Sequence, residues 1–487
     1  MLMQRLLHQY QLQEVRRFES RKNDLEIMQR ENYARIRKIY AEREYANLPE
    51  RYDNLPLEFP EKDFAERVFD LTPLWQKQKD VTWEATSGTT GGRKWIPYTK
   101  EFRAEINRAA SLWLGDLARS YPEVLGGTHY WSLSWMPQEL RGKYNNDDTH
   151  VLPAWQKWIY SKILTAPSKL QHLPTAEDSW FATLIYLAHD ESLSLISVWS
   201  PTFALRLAHD IEKRIDEIRA EGQNFLREHG LPSVMARRNW PSAGDNFLEK
   251  LWPRLALISC WDSASSASWA ADLQKLFPNV HVQGKGLWAT EGPVTIPYNE
   301  RRILAASSHF YEFRCLETNR IIPAWKIEKG QRLQPILWPA NGLYRYALLD
   351  QMHCSGFEGR VPSLEFVGRL ASTDLVGEKI EEKFALELLN TLGKDNPQSR
   401  MAGIFAVKDS RRYCLAVIGV HQAGLAEKLE AGLLRNHHYQ LARDLKQLAP
   451  AEVRIFSSHE ELQDLVSAKL GISGQLKIET LRQLETF

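Results

Sequence analysis

Cysteine is scarce in this chain: Cys260, Cys315, Cys354 and Cys414 are the four in 487 residues. They lie far apart and form no CxxC pair, which argues against a zinc module built on closely spaced thiolates. So few in so long a chain suit a reducing compartment, where each serves as a small buried hydrophobe. The fourteen histidines form no HExxH or similar cluster. An excess of one charge is also missing, with 62 basic residues against 61 acidic ones and a net charge of +1. No basic stripe stands out, which argues against nucleic acid as a partner. No apolar run approaches the roughly 18 residues of a membrane span. Charges such as Arg5 interrupt the first residues, unlike a signal peptide. The expectation is a cytoplasmic protein with no membrane partner. Internal repeats and low-complexity segments are lacking too.

What is present is enough chain for more than one core, since single cores stop growing at about 250–300 residues. Leu2 to Tyr45 contains neither proline nor glycine and reads as one or two helices on the surface of the main body. Val81 to Ala85 and Trp95 to Tyr98 read as short strands around a glycine-rich loop. Thr99 then caps a helix whose Phe102, Ile106, Ala109, Leu112 and Trp113 share a face. Leu193–Trp199, Leu255–Cys260 and Val280–Gln283 read as strands. Helices lie between them, one opened by Ser200-Pro201 with Ala204, Leu207, Ile211, Ile215 and Ile218 on one side. Alternating strands and helices predict an α/β fold. Beyond Arg369 the pattern reads helix (Glu378–Leu392), strand (Ala402–Val407), strand (Tyr413–Val420), helix (Leu425–Leu448), strand (Val453–Phe456), helix (Glu460–Leu470). The expected organisation is a large N-terminal domain, 1–368, with mixed sheets and flanking helices and a helical segment over 1–46. A hinge at 369–374 and a small α+β domain at 375–487 follow.

The most informative segment is Thr86-Ser87-Gly88-Thr89-Thr90-Gly91-Gly92-Arg93-Lys94. Its glycines let backbone N–H groups approach a phosphate, its hydroxyls donate, and Arg93 and Lys94 supply positive charge. It is not a Walker loop, because Trp95 follows Lys94 where Ser or Thr would bind magnesium.

This segment resembles the phosphate loop of the acyl-adenylate-forming superfamily. Gly284-Lys285-Gly286-Leu287-Trp288-Ala289-Thr290-Glu291-Gly292 is similar to that superfamily's second nucleotide motif, and Tyr344-Arg345-Tyr346-Ala347-Leu348-Leu349-Asp350 to its third. Gly356-Phe357, Pro362, Phe366 and Gly368-Arg369 follow at spacings that resemble the acyl-acid-amido synthetases, the auxin-responsive family of plant conjugating enzymes and their bacterial relatives. Gly377-Glu378-Lys379 and Asn436-His437-His438-Tyr439 extend the likeness, which spans roughly Trp83 to Lys477.

The resemblance implies an ATP-dependent ligase. It would adenylate a small-molecule carboxylic acid and pass the acyl group to an amine or amino acid, forming an amide, with ATP and Mg2+ as cofactors. It assigns nucleotide contacts to Ser87, Gly88, Thr89, Thr90, Gly91, Lys94, Thr290, Glu291, Asp350 and Arg369. Glu291 is the implied magnesium ligand and Asp350 the ribose ligand. Lys379 and Lys477 are the implied catalytic lysines of the small domain. Departures exist: Leu287 stands where plant members have tyrosine, Leu349 where a glycine is usual, and the chain is shorter than plant members. An acyl–coenzyme A ligase and a non-catalytic nucleotide-binding protein are the alternatives. Trp131, Trp135, Trp199, Trp261 and Trp288 are candidates for core packing or for an acyl pocket. The roles of His309, Tyr311 and Glu312, and the oligomeric state, are left open.

Overall fold

The computed structural model describes residues 2–55, 62, 64–85, 94–133, 135–136, 138, 152–237, 239–242, 244, 246–370, 372–376, 378–420, 423–470 and 479–487. The chain divides into two compact units. One is built from Lys94–Asp262, Ala270–Phe366 and the chain before the glycine-rich segment, the other chiefly from Val367–Phe487.

The first unit holds a four-stranded parallel sheet in the order Thr128–Trp131, Leu193–Ser197, Leu257–Cys260, His281–Gly284. Leu193–Ser197 and Leu257–Cys260 are buried along their whole length, as parallel strands covered on both faces must be. Helix Ala176–His189 packs with the core of this sheet and starts with a capping box between Thr175 and Asp178. The helix opened by Pro201 is two helices, Pro201–Lys213 and Ile215–Glu228, meeting at Arg214. Its apolar positions stay in phase across the break, which is why the sequence reads as one helix. Ser200 occupies the cap position but its hydroxyl meets the Thr202 hydroxyl at 2.6 Å instead of a backbone N–H.

An eight-stranded sheet in the same unit runs Ile321–Pro323, Phe310–Cys315, Arg332–Trp338, Asp350–Glu358, Val361–Arg369, Arg301–Leu304, Thr295–Tyr298, with Tyr346–Ala347 paired to Arg332–Trp338. Two short hairpins complete it. Thr82–Ala85 pairs with Trp95–Tyr98 in the register Ala85↔Trp95, so residues 86–94 connect the ends of that ladder. Trp288–Ala289 pairs with Gly292–Pro293, leaving Thr290 and Glu291 as a two-residue turn.

Helix Lys100–Ser120 follows the first hairpin. Thr99 accepts the Phe102 N–H at its N-terminus, and Phe102, Ile106, Ala109, Leu112 and Trp113 are buried. Helix Leu2–Arg21 crosses it so closely that a Cβ on Gly115 would lie 2.5 Å from the Gln11 carbonyl oxygen. The N-terminal helices are integral to the core: Gln29, Ile36 and Tyr40 on helix Leu25–Glu42 are fully buried.

The second unit has a four-stranded sheet ordered Glu452–Phe456, Arg412–Gly419, Ser399–Val407, Leu481–Leu484. The edge strand Leu481–Leu484, parallel to Ser399–Val407, is an addition to the sequence reading. The helix expected from Glu378 begins at Glu382, because Ile380–Glu381 pairs with Ser372–Thr373. The helix expected over Leu425–Leu448 is broken into Leu425–Leu433 and His437–Asp444, with Asn436 accepting the Tyr439 N–H as a new cap. All four cysteines are free and buried. No described helix is long and apolar enough to cross a membrane.

Gly115→Ala adds about 1 kcal/mol of helix propensity yet forces an atom into a fixed backbone oxygen. It should lower stability by on the order of 1–2 kcal/mol in urea unfolding. Gly126→Ala, with open space at its Cβ, should not. Equal midpoints for the two variants would show that the helix crossing is not tight.

Candidate active site

The turn Thr290–Glu291 is held from one side by the strand that follows the glycine-rich segment. Tyr98, the last residue of Trp95–Tyr98, donates its hydroxyl to the Thr290 carbonyl at 2.8 Å. Alternation along an extended chain puts Lys94 and Tyr98 on the same side of that strand. The Lys94 ammonium donates to the Tyr346 hydroxyl at 3.3 Å and lies 5.0 Å from the Phe64 ring centroid. Tyr346 is placed by its pairing opposite Leu337.

The Tyr346 phenol also lies beside the Glu291 carboxyl and favours its ionised form. Tyr346 therefore stands next to both the lysine that ends the glycine-rich segment and the acid of the second motif. Glu291 is partly buried as a residue but its carboxyl is shielded from solvent. Burial pushes that carboxyl above its ordinary value and the charge of Asp350 adds to the effect, while Tyr346 and Lys94 act the other way. Asp350 is buried at the start of strand Asp350–Glu358. Lys94, Thr290, Glu291 and Asp350 thus meet within the first unit.

Ser87, Gly88, Thr89, Thr90, Gly91 and Lys477 lie outside the described residues. Arg369 and Lys379 belong to the second unit. The Arg369 guanidinium is 3.5 Å from Glu479, and its backbone N–H donates to Glu382 at 3.2 Å. Lys379 is exposed and holds φ +45, a left-handed conformation unfavourable for a side chain with a Cβ. Its neighbour Glu378 is buried and accepts the N–H groups of Leu375 and Val376 at 2.8 Å each and the Tyr413 hydroxyl. That carboxylate fixes the turn that presents Lys379.

Arg345, in the third motif, is buried and paired. It makes a two-pronged pair with Glu312 at 2.9 and 3.0 Å, and Trp338 donates to the same carboxylate at 2.8 Å. This pair fixes the chain just before Tyr346 and gives Glu312 a structural role. Tyr346 and Tyr98 were unassigned in the sequence. Their signal was their position in or beside the quoted motifs. Of the tryptophans, Trp131 is core. The Lys285 ammonium, at the carboxyl end of strand His281–Gly284, donates to Ser197 at 2.9 Å and lies 4.2 Å from the Trp199 ring centroid.

Among the described residues no cluster of three or more His, Cys, Asp or Glu side chains could hold a metal ion. A divalent ion at Glu291 would therefore draw most of its ligands from substrate and water, the usual habit of magnesium with nucleotides.

A model of the GH3 family N-terminal domain matches residues 70–221, and one of the GH3 family central domain matches residues 302–369. The first stretch contains the glycine-rich segment, the second Tyr346, Asp350 and Arg369. Among solved structures, AtGH3.15 acyl acid amido synthetase in complex with 2,4-DB is 14% identical, with a TM-score of 0.76 over 97% of this chain and 94% of that one. A second structure of GH3.15 acyl acid amido synthetase gives 14% identity and a TM-score of 0.74, over 97% and 93%. Those likenesses establish a shared fold. No curated protein matches the chain.

A carboxyl whose value is raised in the folded state costs stability once it ionises, because the unfolded chain gives up the proton more readily. Wild-type stability should fall as pH rises from the ordinary 4.5 through the raised value. Glu291→Gln should remove that fall and melt roughly 1–2 °C above wild type at neutral pH. A variant that melts lower at pH 7 would contradict the shielded setting of Glu291.

Proposed function

We propose that the chain, which matches models of the GH3 family N-terminal and central domains, activates a carboxylic acid as its adenylate and transfers the acyl group to an amine. The observation that carries this reading is the hydrogen bond from Lys94 to Tyr346 next to the Glu291 carboxyl, with Asp350 near enough to bear on its charge. It joins three separate sequence motifs around one small volume.

In the first half-reaction a substrate carboxylate oxygen attacks the α-phosphorus of ATP and pyrophosphate leaves. Both reactants are anions, so the site must supply cations and oriented donors where charge develops. The segment Ser87–Gly91 and Lys94 hold the outer phosphates, and the Thr290 hydroxyl faces the α-phosphate. Asp350, an acceptor when ionised, takes the ribose hydroxyls. Glu291 fits a magnesium ion by its shielded carboxylate, with the second carboxylate of Asp350 near and no cluster of three among the described residues. When bound, that ion neutralises phosphate charge.

In the second half-reaction the amine nitrogen attacks the acyl carbon, AMP departs with the bonding pair, and the nitrogen loses a proton. Arg369, Lys379 and Lys477 are assigned here to the nucleotide and acyl phosphate. The hinge is assigned to residues 369–374, after strand Val361–Arg369 and ahead of the turn fixed by Glu378. Pinning of that turn by Glu378 supports a defined placement for Lys379.

The test is acid-dependent exchange of pyrophosphate into ATP, over a panel of aromatic, aliphatic and hydroxy acids. Glu291→Ala should slow exchange by on the order of 10²–10³, the scale of one electrostatic stabiliser. An unchanged rate would remove Glu291 from the mechanism. Products formed with amines and with coenzyme A, compared by mass, should show the amide. A thioester alone would make the enzyme an acyl–coenzyme A ligase.

A further inference from the structure

Behind the Thr290–Glu291 turn lies a buried pair that the mechanism above does not use. Glu105, on helix Lys100–Ser120, and His309, just before strand Phe310–Cys315, are 1% and 0% exposed. The His309 Nδ1 is 2.7 Å from Glu105 Oε2, and the same oxygen accepts the Ala340 N–H at 2.8 Å. Arg35 approaches the other oxygen at 3.5 Å and Arg108 at 4.0 Å. Burial alone would push the Glu105 carboxyl up, but His309 and the two arginines hold it below its ordinary value. Glu105 therefore fixes the imidazole plane and directs its other edge.

That other edge points at the turn. His309 Nε2 is buried and has no hydrogen-bond partner among the described residues. A Cβ built on Gly292 would lie 2.6 Å from it, and Gly292 holds φ +141. Only a glycine lets the imidazole stand against this backbone. Gly292 pairs with Ala289 and so closes the turn that carries Thr290 and Glu291. A buried polar atom left without a partner gives up its hydrogen bonds to water with no return. Such atoms in native proteins call for an explanation, and a functional role is one of the recognised ones.

We infer that His309, oriented by Glu105, is a positioning residue for the Thr290–Glu291 turn. Its Nε2 completes a hydrogen bond with the backbone of residues 290–292 when bound nucleotide draws the turn into its working position. The bond is then made in the complex and not before it, so it contributes to nucleotide affinity and to placement of the α-phosphate. This inference rests on the adenylation reading of the same site.

Two substitutions separate positioning from packing. His309→Asn keeps an amide where Nδ1 meets Glu105 and removes Nε2. His309→Gln places its amide near Nε2. With folding checked by thermal melting, the Asn variant should show about a tenfold higher KM for MgATP in pyrophosphate exchange, one hydrogen bond's worth. Its KM for the acid should not move, and Gln should restore most of the loss. MgATP binding by calorimetry should follow the same order. If the Asn variant equals wild type while Gln is impaired, the pair serves only to hold Glu105 and the inference is overturned. If wild type exchanges with no acid on the panel but binds MgATP with the order predicted, the adenylation reading fails while the positioning role stands. Wild type that neither exchanges nor binds MgATP overturns both.

Discussion

Taking a carboxylate out of water is costly unless a cation or strong donor accompanies it, and a second carboxylate beside it makes matters worse. Glu291 and Asp350 are in that position, with Tyr346 and Lys94 offsetting part of the cost. Such an arrangement lowers the stability of the free protein and favours whatever brings positive charge to it. The rest of the first unit can be understood as the apparatus that keeps these four side chains from relaxing apart.

That apparatus is mostly hydrogen bonds from one element to the backbone of another. Gln29 and Asn32, on the second N-terminal helix, both donate to the carbonyls of Ala306 and His309 at 2.8 to 3.1 Å. The Gln29 side-chain oxygen accepts the Tyr311 N–H at 2.9 Å. The stretch carrying His309 is thereby tied to the N-terminus of the chain. On the opposite side, Arg345 and Glu312 fix the approach to Tyr346, and Tyr52 donates to the same carboxylate at 3.1 Å. Tyr98 ties the turn to the hairpin around the glycine-rich segment. Each tie satisfies a buried polar group, so loosening one exposes a cost elsewhere.

Much of this was legible in the sequence where the signal was local. Strand Trp95–Tyr98, the Thr99 cap and the buried face of the following helix come from spacing and capping alone. Lys94, Glu291 and Asp350 came from the order of motifs resembling one family, and they do meet. The long-range ties were not legible. Nothing in the local pattern around Glu312 names Arg345 as its partner, because the pairing depends on strand register between Phe310–Cys315 and Arg332–Trp338. Gln29 and Asn32 read as polar positions on a surface helix, since a buried amide looks the same in sequence as an exposed one. The breaks at Arg214 and Asn436 escaped because apolar positions stay in phase through them. Strand Leu481–Leu484 is short and gains its identity only by joining Ser399–Val407.

The central claim is that Lys94, Glu291 and Asp350 surround a single nucleotide. A crystal structure with a non-hydrolysable acyl-adenylate analogue tests it most directly. The account predicts the phosphate group against Lys94 and Thr290 and the ribose hydroxyls on Asp350. An analogue bound elsewhere on the molecule, touching neither acid, would contradict it.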